Sequence, residues 1–257
     1  MEYVIVCIAA LLASGLTLFS GFGLGTLLMP VVAIFFPLEI AIAITAVVHF
    51  ANNLFKLVLM GHQADKSILL KFGLPAVFAA FIGAGLLNWL GAVPPIFQYT
   101  VFGRDLAVSP LKLVVGVLII FFVSLELSER FSKVELDKKW LPLGGTISGF
   151  FGGLSGHQGA FRSMFLLKSG IGKEAFVATG IVIAVMVDMT RMVVYGAGAS
   201  SYSKDVQWGL VAAACVSAFL GAFVGAKVLK KVTIRTVQIS VSSLLVLVSL
   251  GLITGLV

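Results

Sequence analysis

Charge is the scarcest property of this chain. Lys, Arg, Asp and Glu make up 11% of its 257 residues, against about 25% in a soluble domain, so it could not cover a surface against water. Apolar residues account for 60%, and the mean hydropathy is +1.12. A soluble globular domain is excluded and an integral membrane protein is left. Cysteine is nearly absent as well. Cys7 and Cys215 each sit inside an apolar run, which excludes a disulfide framework and reads both as small core residues. A basic leader is also missing. The chain opens Met1-Glu2, and the apolar run that follows is too long for a signal peptide's core. The net charge of +7 carries no nucleic-acid argument, because the cations lie in short clusters between apolar runs. There they set topology and meet lipid headgroups.

What the chain has is long apolar runs, at about 20 residues for each crossing. Eight are expected, near residues 3–20, 38–60, 68–91, 110–126, 141–167, 174–196, 208–227 and 236–257. The first continues to residue 36 through the break Ser20-Gly21-Phe22-Gly23-Leu24-Gly25, and the fifth contains Gly152-Gly153-Leu154-Ser155-Gly156-His157-Gln158-Gly159. Both runs exceed one crossing, which predicts a full helix plus a re-entrant or half-length piece. Irregular backbone at membrane depth is tolerated only inside protein or along a cavity. Glycine costs a helix roughly 1 kcal/mol against alanine, so the density at 152–159 predicts broken helix over that stretch.

The two halves match. At an offset of 134, Gly15 meets Gly149 and Gly25 meets Gly159; at 135, Glu39 meets Glu174, Asn53 meets Asp188, Lys56 meets Arg191 and Gly61 meets Gly196. At 138, Ala80-Phe81-Ile82-Gly83-Ala84 meets Ala218-Phe219-Leu220-Gly221-Ala222. The expected organisation is a first transmembrane repeat over 1–125, a charged linker over 126–140 and a second repeat over 141–257. Four crossings per unit would make the repeats parallel, whereas one more at each break would invert them. With eight crossings, Lys and Arg divide almost evenly between the two sides, and orientation stays open.

Ionisable groups inside apolar runs are costly and point to function. His49, Asn53 and Lys56 fall within about 40° of one another on a helix. Asp188, Arg191 and Tyr195 form the matching stripe. Lys56 and Arg191 could then face each other across a pseudo-two-fold axis and make an anion site, with Asn53 as a donor and helix N-termini at the breaks adding free N–H groups. The plainer alternatives are that Asp188 only neutralises and orients Arg191, and that Lys56 snorkels towards the Gly61-His62 loop. His49, opposite Ala184, is either a proton carrier or a hydrogen-bonded core residue, and Asp188 shares the proton role. His157, Gln158 and Arg162 stand where the first half has Gly23, Leu24 and Leu28, so the polar load is concentrated in the second break. Gly153-Leu154-Ser155-Gly156 also matches the Gly-x-Ser-Gly pattern of rhomboid-type intramembrane serine proteases. There Ser155 would need a base within hydrogen-bond reach, and a continuing helix would point His157 elsewhere.

The two glycine-rich breaks, Thr45 through His49-Phe50-Ala51-Asn52-Asn53-Leu54-Phe55-Lys56, Lys173 through Thr179, and Asp188 through Arg191 to Tyr195 together resemble the TauE/SafE sulfite exporter family over nearly the whole chain. The resemblance implies a duplicated multi-span bacterial carrier, in the inner membrane, for sulfite, an organosulfonate or a related small anion, usually exporting it. It carries the His-Asn-Asn-Lys and Asp-Arg-Tyr positions over directly. The family's glycine signature continues to a proline, matched by Pro30, whereas the second half has Met164 there.

The resulting expectation is an all-α integral membrane protein of about eight transmembrane helices in two repeats of about four, each opening with a broken or re-entrant element. It would be a secondary transporter of a small anion, exporting sulfite or an organosulfonate, and not an enzyme. Arg191 and Lys56 would be charge partners, with Asn53, Ser20, Ser155, His157 and Gln158 as hydrogen-bonding groups and His49 or Asp188 coupling transport to protons. A passive anion channel is the alternative within transport, and the serine hydrolase the alternative outside it. The partners are the anion, the lipid bilayer and, as an open option, a second copy in a homodimer. No cofactor, metal or nucleic acid is expected.

Overall fold

The computed structural model describes the chain apart from residues 21–22, 102, 129, 131–133, 135, 168, 199–205, 229–233 and 257. Within its helices and strands it describes only the backbone of residues 18–20, 59–60, 104, 126, 160, 167, 197–198, 225–228, 234–238 and 240–241. In order, the helices are α1 (Glu2–Ser20), α2 (Leu24–Ala33), α3 (Leu38–Met60), α4 (Lys66–Ala92) and α5 (Pro110–Leu127), then α6 (Leu141–Ser155), α7 (Gly159–Leu167), α8 (Lys173–Gly198), α9 (Trp208–Val228) and α10 (Ile234–Thr254). A π-helical stretch, Leu69–Gly73, interrupts α4. Strands β1 (Phe97–Val101) and β2 (Arg104–Val108) form an antiparallel hairpin between α4 and α5. Among the described residues three segments, Leu38–Val58, Lys66–Ala92 and Lys173–Gly196, are by themselves long and apolar enough to cross a membrane, and shorter apolar helices make up most of the rest.

The contacts fix the direction of each helix. At one face of the bundle, Gln207 just before α9 donates to Glu2 at the start of α1 (3.4 Å), and Tyr99 on β1 donates to the carbonyl of Thr254 at the end of α10. We refer to this side as the terminal face. Helices α1 and α9 run inward from it side by side, Tyr3 meeting Gly209 and Leu11 meeting Gly221. At the opposite face, the amide of Asp65 after α3 donates to Thr179 near the start of α8 (2.9 Å). Helix α8 returns to the terminal face, where Asn88 of α4 donates to the carbonyl of Val194 (3.0 Å).

Helices α6 and α7 form a hairpin that stops inside the bundle. Ser148 Oγ donates to the carbonyl of Gln158 (3.0 Å), Gly144 lies under the ring of Phe165, and Gly170 after α7 comes back beside Lys138 before α6. At 1.5 Å per residue, the 15 residues of α6 span about 22 Å, short of the ~30 Å hydrocarbon core. Both ends of this hairpin are at the opposite face. Helices α1 and α2 do the same from the terminal face: α2 begins beside His49, with Gly25 against Thr45, and ends just before α3 begins. The long runs 3–36 and 141–167 thus split as expected into two helices each. Each pair, however, is re-entrant as a whole and lacks the expected full-length member.

The expected break at 152–159 is corrected in its extent. Gly152 and Gly153 are helical, and only Gly156, His157 and Gln158 interrupt the hairpin. The reason is packing. Helix α6 lies so close to α4 that a Cβ at Gly145, Gly149 or Gly153 would collide with the carbonyl oxygens of Phe72, Ala76 and Ala80, and one at Gly83 with that of Phe150. Small residues let helix backbones approach in this way, and the contact offsets their low helix propensity. The actual break is set by Gly156, which caps α6 in the left-handed conformation (φ +80°). A large apolar cluster, from Val6 on α1 to Leu252 on α10, surrounds the first hairpin; a smaller one, from Ile68 to Val187, surrounds the second.

Candidate functional site

Helices α3 and α8 are antiparallel and cross at mid-height, and their polar stripes meet there. Asp188 is fully buried and is shared by three partners: His49 Nδ1 at 2.6 Å, Asn53 Nδ2 donating at 3.3 Å, and Arg191 Nη2 at 2.9 Å in an ion pair not aligned as a hydrogen bond. Asn53 also lies 3.2 Å from the His49 ring. One helical turn separates Asp188 from Arg191, which is why both reach the same spot. The Arg191 guanidinium runs on to the tip of the second hairpin, where a Cβ at Gly156 would lie 2.7 Å from Nη1. Tyr195, one turn further, donates to the carbonyl of Gly153 (2.6 Å). A buried carboxylate needs this number of partners, because an unpaired charge in apolar surroundings is strongly unfavourable.

Beside this cluster is a cavity of about 190 Å³, on the side towards the opposite face. Lys56, Asn53, Asn52 and His49 of α3 line it, as do Arg162 of α7, Gly180 of α8, and Gly23 and Leu24 at the start of α2. Lys56 is buried and does not snorkel to an interface. Among the described residues neither Lys56 nor Arg162 has a carboxylate at ion-pair distance, and Arg162 Nη1 is buried without a hydrogen-bond partner. Two unpaired cations on one small cavity make a strongly positive spot. Asn53 and the N-terminus of α2, whose Gly23 cap supplies no side-chain acceptor, add donors to it.

The expected residues are therefore divided. His49, Asn53 and Lys56 line the cavity, while Arg191 and Asp188 stand behind His49 and Asn53 as an ion pair. Arg191 does not face Lys56 across the cavity; the cation that does is Arg162. The sequence carried the signal for Arg162, an ionisable residue in an apolar run. The match to Leu28 hid it, because the repeat directed attention to paired positions. His157, Gln158 and Ser155 are buried at the hairpin tip, away from the cavity. His157 Nε2 and both side-chain polar atoms of Gln158 have no hydrogen-bond partner there. Ser20 falls among the residues whose side chains are not described.

One expectation about Ser155 is reversed. Because α6 ends at Gly156, His157 folds back and places Nδ1 3.1 Å from Ser155 Oγ. The serine hydroxyl donates to the carbonyl of Phe151 (3.2 Å), the imidazole is stacked on Phe122 (centroids 5.1 Å apart, planes at 6°), and among the described residues no carboxylate orients it. The pair therefore lacks the third group that directs a catalytic base.

A family model described as Sulfite exporter TauE/SafE matches residues 6–252. No curated protein and no solved structure matches the chain.

Proposed function

This chain belongs to the sulfite exporter TauE/SafE family and is a membrane transporter, and from that premise we propose that its cargo is a small sulfur oxyanion, sulfite or a short organosulfonate, held between Lys56 and Arg162. The supporting observation is two cations on one small cavity, neither with a carboxylate at ion-pair distance among the described residues. At ~30 Å³ per water, about 190 Å³ admits an oxyanion of a few heavy atoms with part of its hydration. Arg191 and Asp188 hold the α3–α8 crossing in place, and the His49–Asp188 pair is the proton carrier. Arrival of the anion would strengthen the positive end of that pair, and its departure would free the proton. Export from the cell across a bacterial inner membrane, driven by the proton gradient, is the direction this reading takes.

The order long, short, long, long, long occurs twice, in α1–α5 and α6–α10. Helix α4 packs on α6 as α9 packs on α1, with Gly83 and Gly221 at the two crossings. These relations support a duplication whose units are inverted, each made of one re-entrant hairpin and three crossings.

The test is binding by purified protein, read as thermal stabilisation by sulfite, sulfoacetate, taurine, sulfate and acetate. A ligand that binds only the folded state stabilises it by about 2.7 kcal/mol at a hundred times its dissociation constant. Sulfite or sulfoacetate should stabilise the wild type, while Lys56→Ala and Arg162→Ala stay folded and lose the response. Equal responses in all three proteins would remove the anion from this cavity. Flux unaffected by a pH gradient would remove the proton role of His49 and Asp188.

A further inference from the structure

The two re-entrant hairpins change the charge count that decides how a membrane protein is oriented. If each broken run, 3–36 and 141–167, is counted as a single crossing, the cations split almost evenly. In the fold, each hairpin enters and leaves by one face, and every later connection is reassigned. Of the 18 Lys and Arg residues, Lys56, Arg162 and Arg191 occupy the middle. Arg104, Lys112 and Lys204 belong by chain position to the terminal face, with β2, the start of α5 and the α8–α9 connection. The remaining twelve fall by chain position on the side of the opposite face, in the sequence of the α3–α4, α5–α6, α7–α8 and α9–α10 connections and the helix ends beside them. Among them Lys66, Lys71, Arg130, Lys138, Lys139 and Lys173 are exposed.

Twelve against three is a fourfold excess. Every connection is short, which is the regime where Lys and Arg bias sets orientation. The acidic residues do not weaken the conclusion, since Asp and Glu contribute little to that bias. The cavity belongs to the same half of the bundle. Its lining runs from His49 at mid-height to Lys56 near the end of α3 and Phe176 in the first turn of α8, both towards the opposite face. Towards the terminal face, the Asp188–Arg191 pair and the Tyr195–Gly153 hydrogen bond close the middle.

We infer that the opposite face is cytoplasmic, that α1 begins and α10 ends outside the cytoplasm, and that the cavity is open to the cytoplasm and takes its anion from there. The last clause rests on the proposed cargo site; the first two do not. The cytoplasmic ring of cations would also raise the local concentration of anions at the entrance and contact anionic headgroups.

Single cysteines in the full-length protein, with Cys7 and Cys215 replaced by serine, test this without any cargo. Gln98→Cys on exposed β1, Gly172→Cys before α8 and Ser163→Cys in the cavity wall would be treated with a membrane-impermeant maleimide, in intact cells and in inside-out vesicles. Gln98→Cys should label at least tenfold faster in cells than in vesicles, and Gly172→Cys and Ser163→Cys at least tenfold faster in vesicles. Opposite preferences at Gln98→Cys and Gly172→Cys would overturn the orientation. Labelling of both from one side would overturn the hairpin topology. Ser163→Cys labelled from outside, or from neither side, would overturn the cytoplasmic opening alone. A failed cargo assay beside the expected labelling would count against the anion and leave the orientation standing.

Discussion

Replacing Gly149 with alanine should push α4 and α6 apart. A Cβ there would collide with the carbonyl oxygen of Ala76 and lie 2.5 Å from both its carbonyl carbon and its Cα. All three are backbone atoms of a packed helix, so no side-chain rotation relieves them, and the helices must separate along a seam that Gly145 and Gly153 also hold close. Overpacking of this kind costs up to about 3 kcal/mol. Alanine's better helix propensity returns about 1 kcal/mol, which leaves a net loss of about 2 kcal/mol. At roughly 2–4 °C per kcal/mol for a chain of this size, the midpoint should fall by about 4–8 °C. Gly85→Ala is the control. It is on the same helix as Gly83, but nothing lies within 4 Å of its Cβ position, so only the propensity gain operates and the midpoint should rise by roughly 2–4 °C. The assay is thermal unfolding of purified protein in one detergent, with monodispersity checked by size-exclusion chromatography. Equal shifts for the two substitutions, or no loss for Gly149→Ala, would refute the close seam.

Three further outcomes follow from the site. Asp188→Asn leaves His49 and Arg191 buried without their carboxylate and should cost roughly 3–5 kcal/mol. Adding Arg191→Gln should recover part of this, a coupling that a double-mutant thermal cycle detects. Gly156→Ala forces a left-handed residue to carry a Cβ, at about 1–3 kcal/mol, and presses on Arg191 Nη1 at 2.7 Å. Gly103→Ala has the same backbone problem (φ +74°) with nothing nearby, so only Gly156→Ala should also weaken the response to anions. Tyr195→Phe removes the hydroxyl that donates to Gly153 and should cost roughly 0.5–1.5 kcal/mol; an unchanged midpoint would mean the bond contributes nothing.

The sequence made some of this legible and hid the rest for physical reasons. Hydropathy marked the long helices, since lipid and core alike exclude charge, and helical spacing placed His49, Asn53 and Lys56 on one stripe and Asp188 with Arg191 on another. The chain's reversal at Gly156 was not legible, because glycine at a close crossing and glycine in a turn look the same in one dimension. Gly153 turned out to be the first kind and Gly156 the second. Reading both as a break enlarged it, and the direction of every later helix depended on it. Arg162 was visible as a cation in an apolar run. Its role depended on a hairpin folding back to bring Arg162 of α7 to the cavity that α3 lines, a distance in space that spacing along the chain does not encode.

The β-hairpin on the terminal face sits in a connection, 93–109, far longer than the corresponding stretch 229–233 between α9 and α10. It is tied to the end of α10 through Tyr99 and Thr254, and Ala107 lies against Gly255. On its other side it runs through Ser109, whose hydroxyl caps α5 by accepting from the Lys112 amide (3.2 Å). Twelve residues into α5, about 18 Å at 1.5 Å per residue, Phe122 lies flat against His157 at the tip of the second hairpin. A stiff rod therefore joins a handle outside the hydrocarbon to a ring at the centre of the bundle. The centre of the bundle is thereby in mechanical contact with a surface that never enters the membrane.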